Sequence, residues 1–297
     1  MRYRAPTVQD APAVLAVSVA CDIAERGRPD YTLDDLLGDW RASDVVLARD
    51  ALVATDEAGQ IVAYAIVRRF GTMVMVAPGH ESRGIGTHML QWAQLRDRQC
   101  GRPRHRQWVG ATNTRAAALL RGAGYARVRA YTRMACALDR SLREPDPPPG
   151  VTLAALDPST DARELHALDA LSFAANADYE PESFDEFAEE HLGGHDTAPE
   201  LSLVARRDGA MVGFLIARRF EDQDAGFIDL LAVHPAHRGQ GIATALLHTA
   251  FARFAVAGLI EAQLGVASDN PTALALYARV GMSPLFAGDT YERAVDD

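Results

Sequence analysis

The segments "GQIVAYAIVRRF" (59–70) and "GAMVGFLIARRF" (209–220) are near copies 150 residues apart. From Val76 and Val233 onward the spacing becomes 157 and holds to the ends of both halves. Register kept over such a distance marks an internal duplication of about 145 residues, so one structural plan must be satisfied twice. The seven added residues fall in "EDQDAGFIDLLAV" (221–233), which predicts a longer hairpin and strand in the second copy. Between the copies, "REPDPPPGV" (143–151) carries four prolines, which continue neither a helix nor a central strand. That stretch reads as an extended linker. The expected division is therefore 1–142, a Pro-rich linker over 143–150, and 151–297.

Within the second half a short strand is expected near Val151, then helices over 161–173 and 181–192, the latter starting at Pro181. Three strand-like runs come next, "LSLVARR", "MVGFLIARRF" and "GFIDLLAV". A glycine loop opens the helix "GIATALLHTAFARFAVA". A strand "LIEAQLGV", a helix "PTALALYARV" and closing strands around 282–295 complete the half. The first half runs the same way. The fold class is α/β, a mixed sheet with helices on its faces.

Charge narrows the partners. Residues 1–150 carry 21 Arg against 16 acids, a net of +5, and residues 151–297 carry 9 Arg against 24 acids, a net of −15. There is no Lys. An acidic half argues against nucleic acid as the main partner, because phosphate backbones need basic surfaces. It suits a cationic small molecule, although solubility or docking of the halves would explain it equally. No apolar run approaches the ~18 residues of a membrane span, and the N-terminus has no apolar core of a secretory signal. Cys21, Cys100 and Cys136 are too dispersed for a disulfide framework or a zinc cluster. A reduced, cytoplasmic protein without membrane contact or bound metal is expected.

The chemistry-bearing stretch is "AVHPAHRGQGIATALL" (232–247). A strand ends, Pro235 turns the chain, and Arg238-Gly239-Gln240-Gly241-Ile242-Ala243 leads directly into a helix. Small residues admit a ligand to the backbone, and a helix start offers unpaired N–H groups and a positive dipole end. The 31 residues between Asp229 and Glu261 contain no carboxylate, inside the acidic half. These are the requirements of a pyrophosphate site, although such a turn also serves as a plain tight connection. Further on, "VASDNPTALALYARVGM" (266–282) places Asn270 at a strand end, Tyr277 seven residues later on a helix, and Gly281 closing that helix.

Together, V-x-P-x-x-R-G-x-G-I-A (Val233 to Ala243) and N-x6-Y-x3-G (Asn270, Tyr277, Gly281) resemble the GNAT acetyltransferase superfamily. The resemblance covers most of the second half and, more weakly, the first. It is similar to the superfamily's tandem members, so it implies two GNAT-like domains, each a mixed, mostly antiparallel sheet flanked by helices. It further implies acetyl-CoA as donor and a small-molecule amine as acceptor, such as an aminosugar, an antibiotic or an amino-acid derivative. Backbone N–H groups of Arg238, Gly239, Gln240, Gly241, Ile242 and Ala243 would hold the pyrophosphate. The splayed strand at Leu231, Ala232 and Val233 would pair with the pantetheine arm and polarise the thioester carbonyl. Asn270 would hydrogen-bond that arm, and Tyr277 would protonate the departing thiolate.

The acceptor needs a base. Asp229 interrupts an apolar strand where an unpaired carboxylate is costly, and burial is expected to raise its pKa. A structural carboxylate satisfied by a neighbouring hydroxyl or Arg is the other reading. Gly265 stands where some relatives carry a catalytic Glu. Glu261 belongs to a strand end, and His234 and His237 flank the loop as lining residues. The acidic segment 175–196 falls on the helices that cover the acceptor in this fold, which nominates Tyr179, Glu180 and Glu182 for recognising a cationic amine. A solvated helix face explains its other acids equally well.

The first copy keeps the loop and loses the chemistry. Gly241 and Ala243 correspond to Gly84 and Gly86, but Arg238 becomes Glu81, Ala245 becomes His88, and Tyr277 becomes Leu120, which carries no proton. Asn113 matches Asn270, and "TMVMV" (72–76) has no acid. The first domain reads as a degenerate partner and the second as the enzyme. The alternative is a non-catalytic protein that senses acyl-CoA through both loops.

Overall fold

The structure, a computed structural model, describes residues 1–69, 71–176 and 179–295. Phe70 of the repeat and Asp178 of the acidic segment lie outside the described residues. The chain forms two compact units: 1–132 with 267–269 and 286–297, and 133–266 with 270–285.

In chain order the first half provides β1 (Arg2–Arg4), α1 (Ala11–Arg26), α2 (Leu33–Arg41), the short α3 (Leu47–Asp50), β2 (Ala51–Thr55), β3 (Ile61–Arg68) and β4 (Gly71–Val76). There follow α4 (Ile85–Gln99), β5 (Arg104–Gly110), α5 (Thr114–Gly122) and β6 (Ala126–Ala137). The second half repeats the plan: β7 (Thr152–Ala155), α6 (Pro158–Phe173), α7 (Phe184–Leu192), β8 (Leu203–Arg207), β9 (Ala210–Phe220) and β10 (Ala225–Val233). It continues through α8 (Ile242–Val256), β11 (Glu261–Ala267), α9 (Pro271–Arg279) and β12 (Ser283–Ala294). β9 and β10 are longer than β3 and β4, as the seven added residues require.

In the first unit β1, β2, β3 and β4 pair antiparallel in that order. β4 meets β5 in parallel at a single register pair, Thr72 with Gln107, and residues 288–294 of β12 pair antiparallel with β5. In the second unit β7 to β10 pair antiparallel in order, and β10 runs parallel to β11 from Ala225/Glu261 to Ile228/Leu264. The sheet is mixed and mostly antiparallel. Its central strand β9 is buried on both faces, which is why it reads as one continuous apolar run. Leu215 and Ala217 join the core under α8, with Leu246, Ala250 and Phe254. Phe214 and Ile216 join the core under α6 and α7, with Leu165, Leu168 and Phe187.

Several boundaries differ from expectation. α6 starts at Pro158 and not at 161, because Asp157 caps it by accepting from the Ser159 N–H. α7 starts at Phe184, not Pro181, because Ser183 and Glu186 form a capping box: the Ser183 hydroxyl accepts from the Glu186 N–H, and the Glu186 carboxylate accepts from the Ser183 N–H. The closing segment is one twelve-residue strand and not several. Gly288 makes no turn there; it leaves room for the Trp108 ring, which a β-carbon would strike. No helix among the described residues is long and apolar enough to cross a membrane.

Candidate active site

In the second unit the loop after β10 enters α8 through two left-handed glycines, Gly239 (φ 74°) and Gly241 (φ 80°). Glycine adopts this conformation without steric penalty. The N–H groups of Gly239, Gln240, Gly241, Ile242 and Ala243 have no acceptor among the described residues. They form a run of donors at a helix N-terminus, suited to a pyrophosphate. Side chains brace the loop from outside. Arg238 donates to the carbonyls of Val233 (3.2 Å) and Ser172 (2.8 Å), and Arg207 donates to Gln240 Oε1 (2.7 Å) and the Pro149 carbonyl (3.3 Å). His234 accepts from the Ala236 N–H (3.2 Å), and His237 meets Arg207 (3.3 Å). Both histidines thus hold the loop's shape.

Beyond Ile228 and Leu264 the parallel strands β10 and β11 stop pairing. Leu231, Ala232 and Val233 stay paired to β9 on their other side, so the sheet opens as a notch directly above the glycine loop. Gly265 on β11 has open space where a β-carbon would stand. Such a notch fits an extended arm that completes the strand's pairing.

Asp229 sits where the strands part. The β9–β10 register slips between Ile228 and Leu230, so Asp229 is the extra residue of a β-bulge, a device that re-aims a side chain. Its Oδ2 accepts from His191 Nδ1 (2.7 Å) and from Arg218 (3.1 Å). Arg218 also pairs with Asp196 (2.9 Å) and donates to the Glu190 carbonyl (2.6 Å). Burial alone would raise the Asp229 pKa, as anticipated from its apolar strand. The His191 hydrogen bond and the two cations outweigh it, and the pKa is lowered. Asp229 is held ionised, which corrects the expectation of a raised value. His191 moves the other way: burial opposes its charged form, but the hydrogen bond and charge of Asp229 prevail and its pKa is raised. Its Nε2 makes no hydrogen bond among the described residues, and the Glu182 carboxylate stands 4.0 Å from it.

Tyr277 lies on α9, half-buried, with its hydroxyl unbonded among the described residues and its pKa pushed up to about 12 by burial. It is a proton donor at any physiological pH. Asn270 caps α9 by accepting from the Ala273 N–H (3.0 Å), and its amide nitrogen has no acceptor among the described residues. Of the three residues nominated for the acceptor, Tyr179 and Glu182 are half-buried and share an electrostatic environment with Asp169, while Glu180 is exposed. Sequence reasoning missed His191, Arg218 and Asp169. His191 was hidden inside an acidic run, and its partner lies 38 residues away.

The first unit holds a cavity of about 530 Å³ at the corresponding place, lined by its own loop, β4, β5 and α5. Its details differ throughout. The position of Gly239 is taken by Ser82, at φ 59°. Glu81 accepts from the Gly79 N–H (2.7 Å) at the loop entrance. Glu25 accepts from the Asn113 amide (2.6 Å) and lies against Gly110 at the end of β5. Leu120 is buried in an apolar cluster. Thr72 pairs with Val67 and Gln107 as Ile228 pairs with Ala217 and Leu264, so the bulge residue Asp229 has no counterpart in β4.

A family model described as "Acetyltransferase (GNAT) family" matches the chain twice, over residues 17–125 and 163–282. The chain is 30% identical over 229 residues to a mycothiol acetyltransferase of Thermobispora bispora, covering 74% of this chain and 75% of that one. The fold is similar to a solved GCN5-related N-acetyltransferase from Sphaerobacter thermophilus (TM-score 0.85, 28% identity, 100% of this chain and 96% of that one). It also resembles a tandem GNAT protein of the clavulanic acid biosynthesis pathway (TM-score 0.78, 18% identity, 100% and 99% covered).

Proposed function

The chain belongs to the acetyltransferase (GNAT) family, and on that premise we propose that its second unit moves an acetyl group from acetyl-CoA to an amine of a small molecule, with His191 as the base. The observation that carries this reading is the His191–Asp229 pair at the bulge where β10 leaves β11. The acetyl-CoA used by this family fits the residues present: five free N–H groups at the start of α8, an open strand edge at Leu231–Val233, and the free amide of Asn270.

Asp229 serves as the positioning residue. Ionised and bonded to Nδ1, it fixes the ring so that Nε2 is the acceptor, and it stabilises the imidazolium that forms. His191 Nε2 removes one proton from the acceptor ammonium, the neutral amine attacks, the N–C bond forms, and the C–S bond breaks. Tyr277 gives its proton to the departing thiolate and regains one from the acylated nitrogen, so one of the two ammonium protons ends on His191 and the other is replaced on Tyr277, which balances the step. Charge on the thioester oxygen is met by the backbone of the open strand.

Thiol release from acetyl-CoA, screened over aminosugars, amino acids and alkylamines, identifies a working acceptor. With it, His191→Ala is expected to lower kcat by about 10²- to 10⁴-fold, with an unchanged Kd for acetyl-CoA by calorimetry. Because the pKa of His191 is raised, wild-type kcat rises with pH through an ionisation above its ordinary value near 6.5. That limb disappears in the variant. Retention of kcat within about threefold would assign the base elsewhere, since removing a positioned base costs far more.

A further inference from the structure

α6 turns one face toward the His191–Asp229 pair, and that face is polar without being satisfied. Asp169 and Ser172 are one turn apart on it, 8% and 7% exposed. Asp169 Oδ1, Ser172 Oγ and, on the segment entering α7, Glu182 Oε2 are all buried without a hydrogen-bond partner among the described residues. Leaving carboxylates in that state is expensive, and proteins normally pair them. The same unit does so elsewhere: Asp161 pairs with Arg206 at 2.8 Å, and Asp196 and Asp229 share Arg218.

Three further observations place these groups in one site. The carbonyl of Ser172 holds Arg238 of the glycine loop, so this end of α6 borders the donor loop. Asp169 lies in the field of His191, Glu182, His166 and Asp229, and burial lifts its pKa to about 6. Tyr179 is raised by burial and by the charges of Asp169 and Glu182, so it borders the same space. The cations of the site, Arg218 and His191, are already engaged by Asp229 and Asp196. Among the described residues Asp169 therefore has no ion-pair partner, and Glu182 has only His191 at 4.0 Å, a cation it shares with Asp229.

We propose that Asp169 and Glu182 bind a second ammonium group of the acceptor, so that the substrate class is a small molecule with two amines, one acetylated and one held. The inference rests on the acetyl-transfer reading of the same site. A monoamine gives up its charge as it reacts and leaves Asp169 without a cation, with Glu182 facing only His191. A diamine supplies one amine to His191 and keeps one positive charge for the pair. Ser172 Oγ adds an acceptor for a third ammonium hydrogen.

The test compares α,ω-diaminoalkanes of three to six carbons with monoamines of equal length. Wild-type kcat/KM for the best diamine is expected to exceed that of its monoamine by on the order of 10- to 100-fold, the worth of one buried charge-assisted contact. Asp169→Asn and, separately, the half-exposed Glu182→Gln are expected to reduce that ratio about tenfold or more, chiefly through KM for the diamine. Calorimetry of the diamine alone against wild type and both variants follows binding without turnover, and circular dichroism checks the fold. Monoamines acetylated as well as diamines, or a ratio unmoved by both substitutions, overturns the inference and leaves acetyl transfer standing. Diamine binding that weakens in both variants while no amine is acetylated overturns the transfer reading and supports the recognition site.

Discussion

Asp169 and Asp229 are both buried carboxylates of the second unit, and their surroundings drive them apart. Asp229 is bonded to two cations and is held ionised, whereas Asp169 has no ion-pair partner among the described residues and resists ionisation. The stability consequence has a definite sign. A carboxyl whose pKa is higher folded than unfolded binds its proton more tightly in the native state, so its ionisation opposes folding. The penalty is absent below the ordinary value of 3.8 and complete above about 6. One pKa unit corresponds to about 1.4 kcal/mol, so a rise from 3.8 to about 6, the histidines' offset already included, is on the order of 3 kcal/mol. Asp169→Asn is therefore expected to stabilise the protein by that amount at pH 7.5 and by nothing near pH 3, read from urea unfolding at the two pH values. In the sequence, Asp229 is conspicuous because it breaks an apolar strand, and Tyr277 because it keeps fixed spacing from Asn270. Asp169 and His191 sit on helices whose other polar residues are solvated, and only folding brings them to Asp229.

Between residues and the whole chain, the elements are set by a few local devices. The glycine loop, the strand runs and the longer β9–β10 hairpin are legible in the sequence, because each depends on neighbours in the chain. The start of α7 and the single closing strand are not. A capping box competes with Pro181 in the first case, and in the second Gly288 answers to Trp108, far away in sequence. Gly226 is a similar case. It opens β10 beneath α8, where a β-carbon would fall within the Phe254 ring, itself fully buried. Gly226→Ala is expected to cost about 1–3 kcal/mol by overpacking, with a lower urea midpoint and an unchanged m-value. The parallel pairing of β10 with β11 passes through this residue, so the notch should also loosen, seen as a weaker Kd for acetyl-CoA. A variant as stable as wild type would show that α8 can shift to accept the methyl group.

At the scale of the molecule, the duplication has left two loops of the same shape, and chemistry distinguishes them. Gly84 and Gly241 both adopt the left-handed conformation at a helix start, and Asn113 and Asn270 both cap the helix that follows the next strand. A pyrophosphate and a pantetheine arm need more than shape. In the second unit the loop is flanked by Arg238, no carboxylate occurs from 230 to 260, and the Asn270 amide is free. In the first unit Glu81 stands at the loop entrance, and Glu25 takes the Asn113 amide beside the end of β5. Two carboxylates thus line the approach of a ligand that is itself anionic, and each like-charge contact at ~4 Å is unfavourable by about 1–4 kcal/mol at the dielectric of a protein surface. Calorimetry is therefore expected to count one acetyl-CoA per chain. Gly241→Glu should abolish it, through strain at a positive φ and through charge, while Gly84→Glu leaves it intact. Two equivalents in the wild type would mean that Glu25 and Glu81 swing clear of the 530 Å³ cavity. With one equivalent in the wild type, Glu81→Arg becomes the decisive variant: if Glu81 is what excludes the coenzyme, restoring the cation found at Arg238 should add a second equivalent. A count that stays at one would place the block at Glu25, where the carboxylate occupies the partner that Asn270 keeps open.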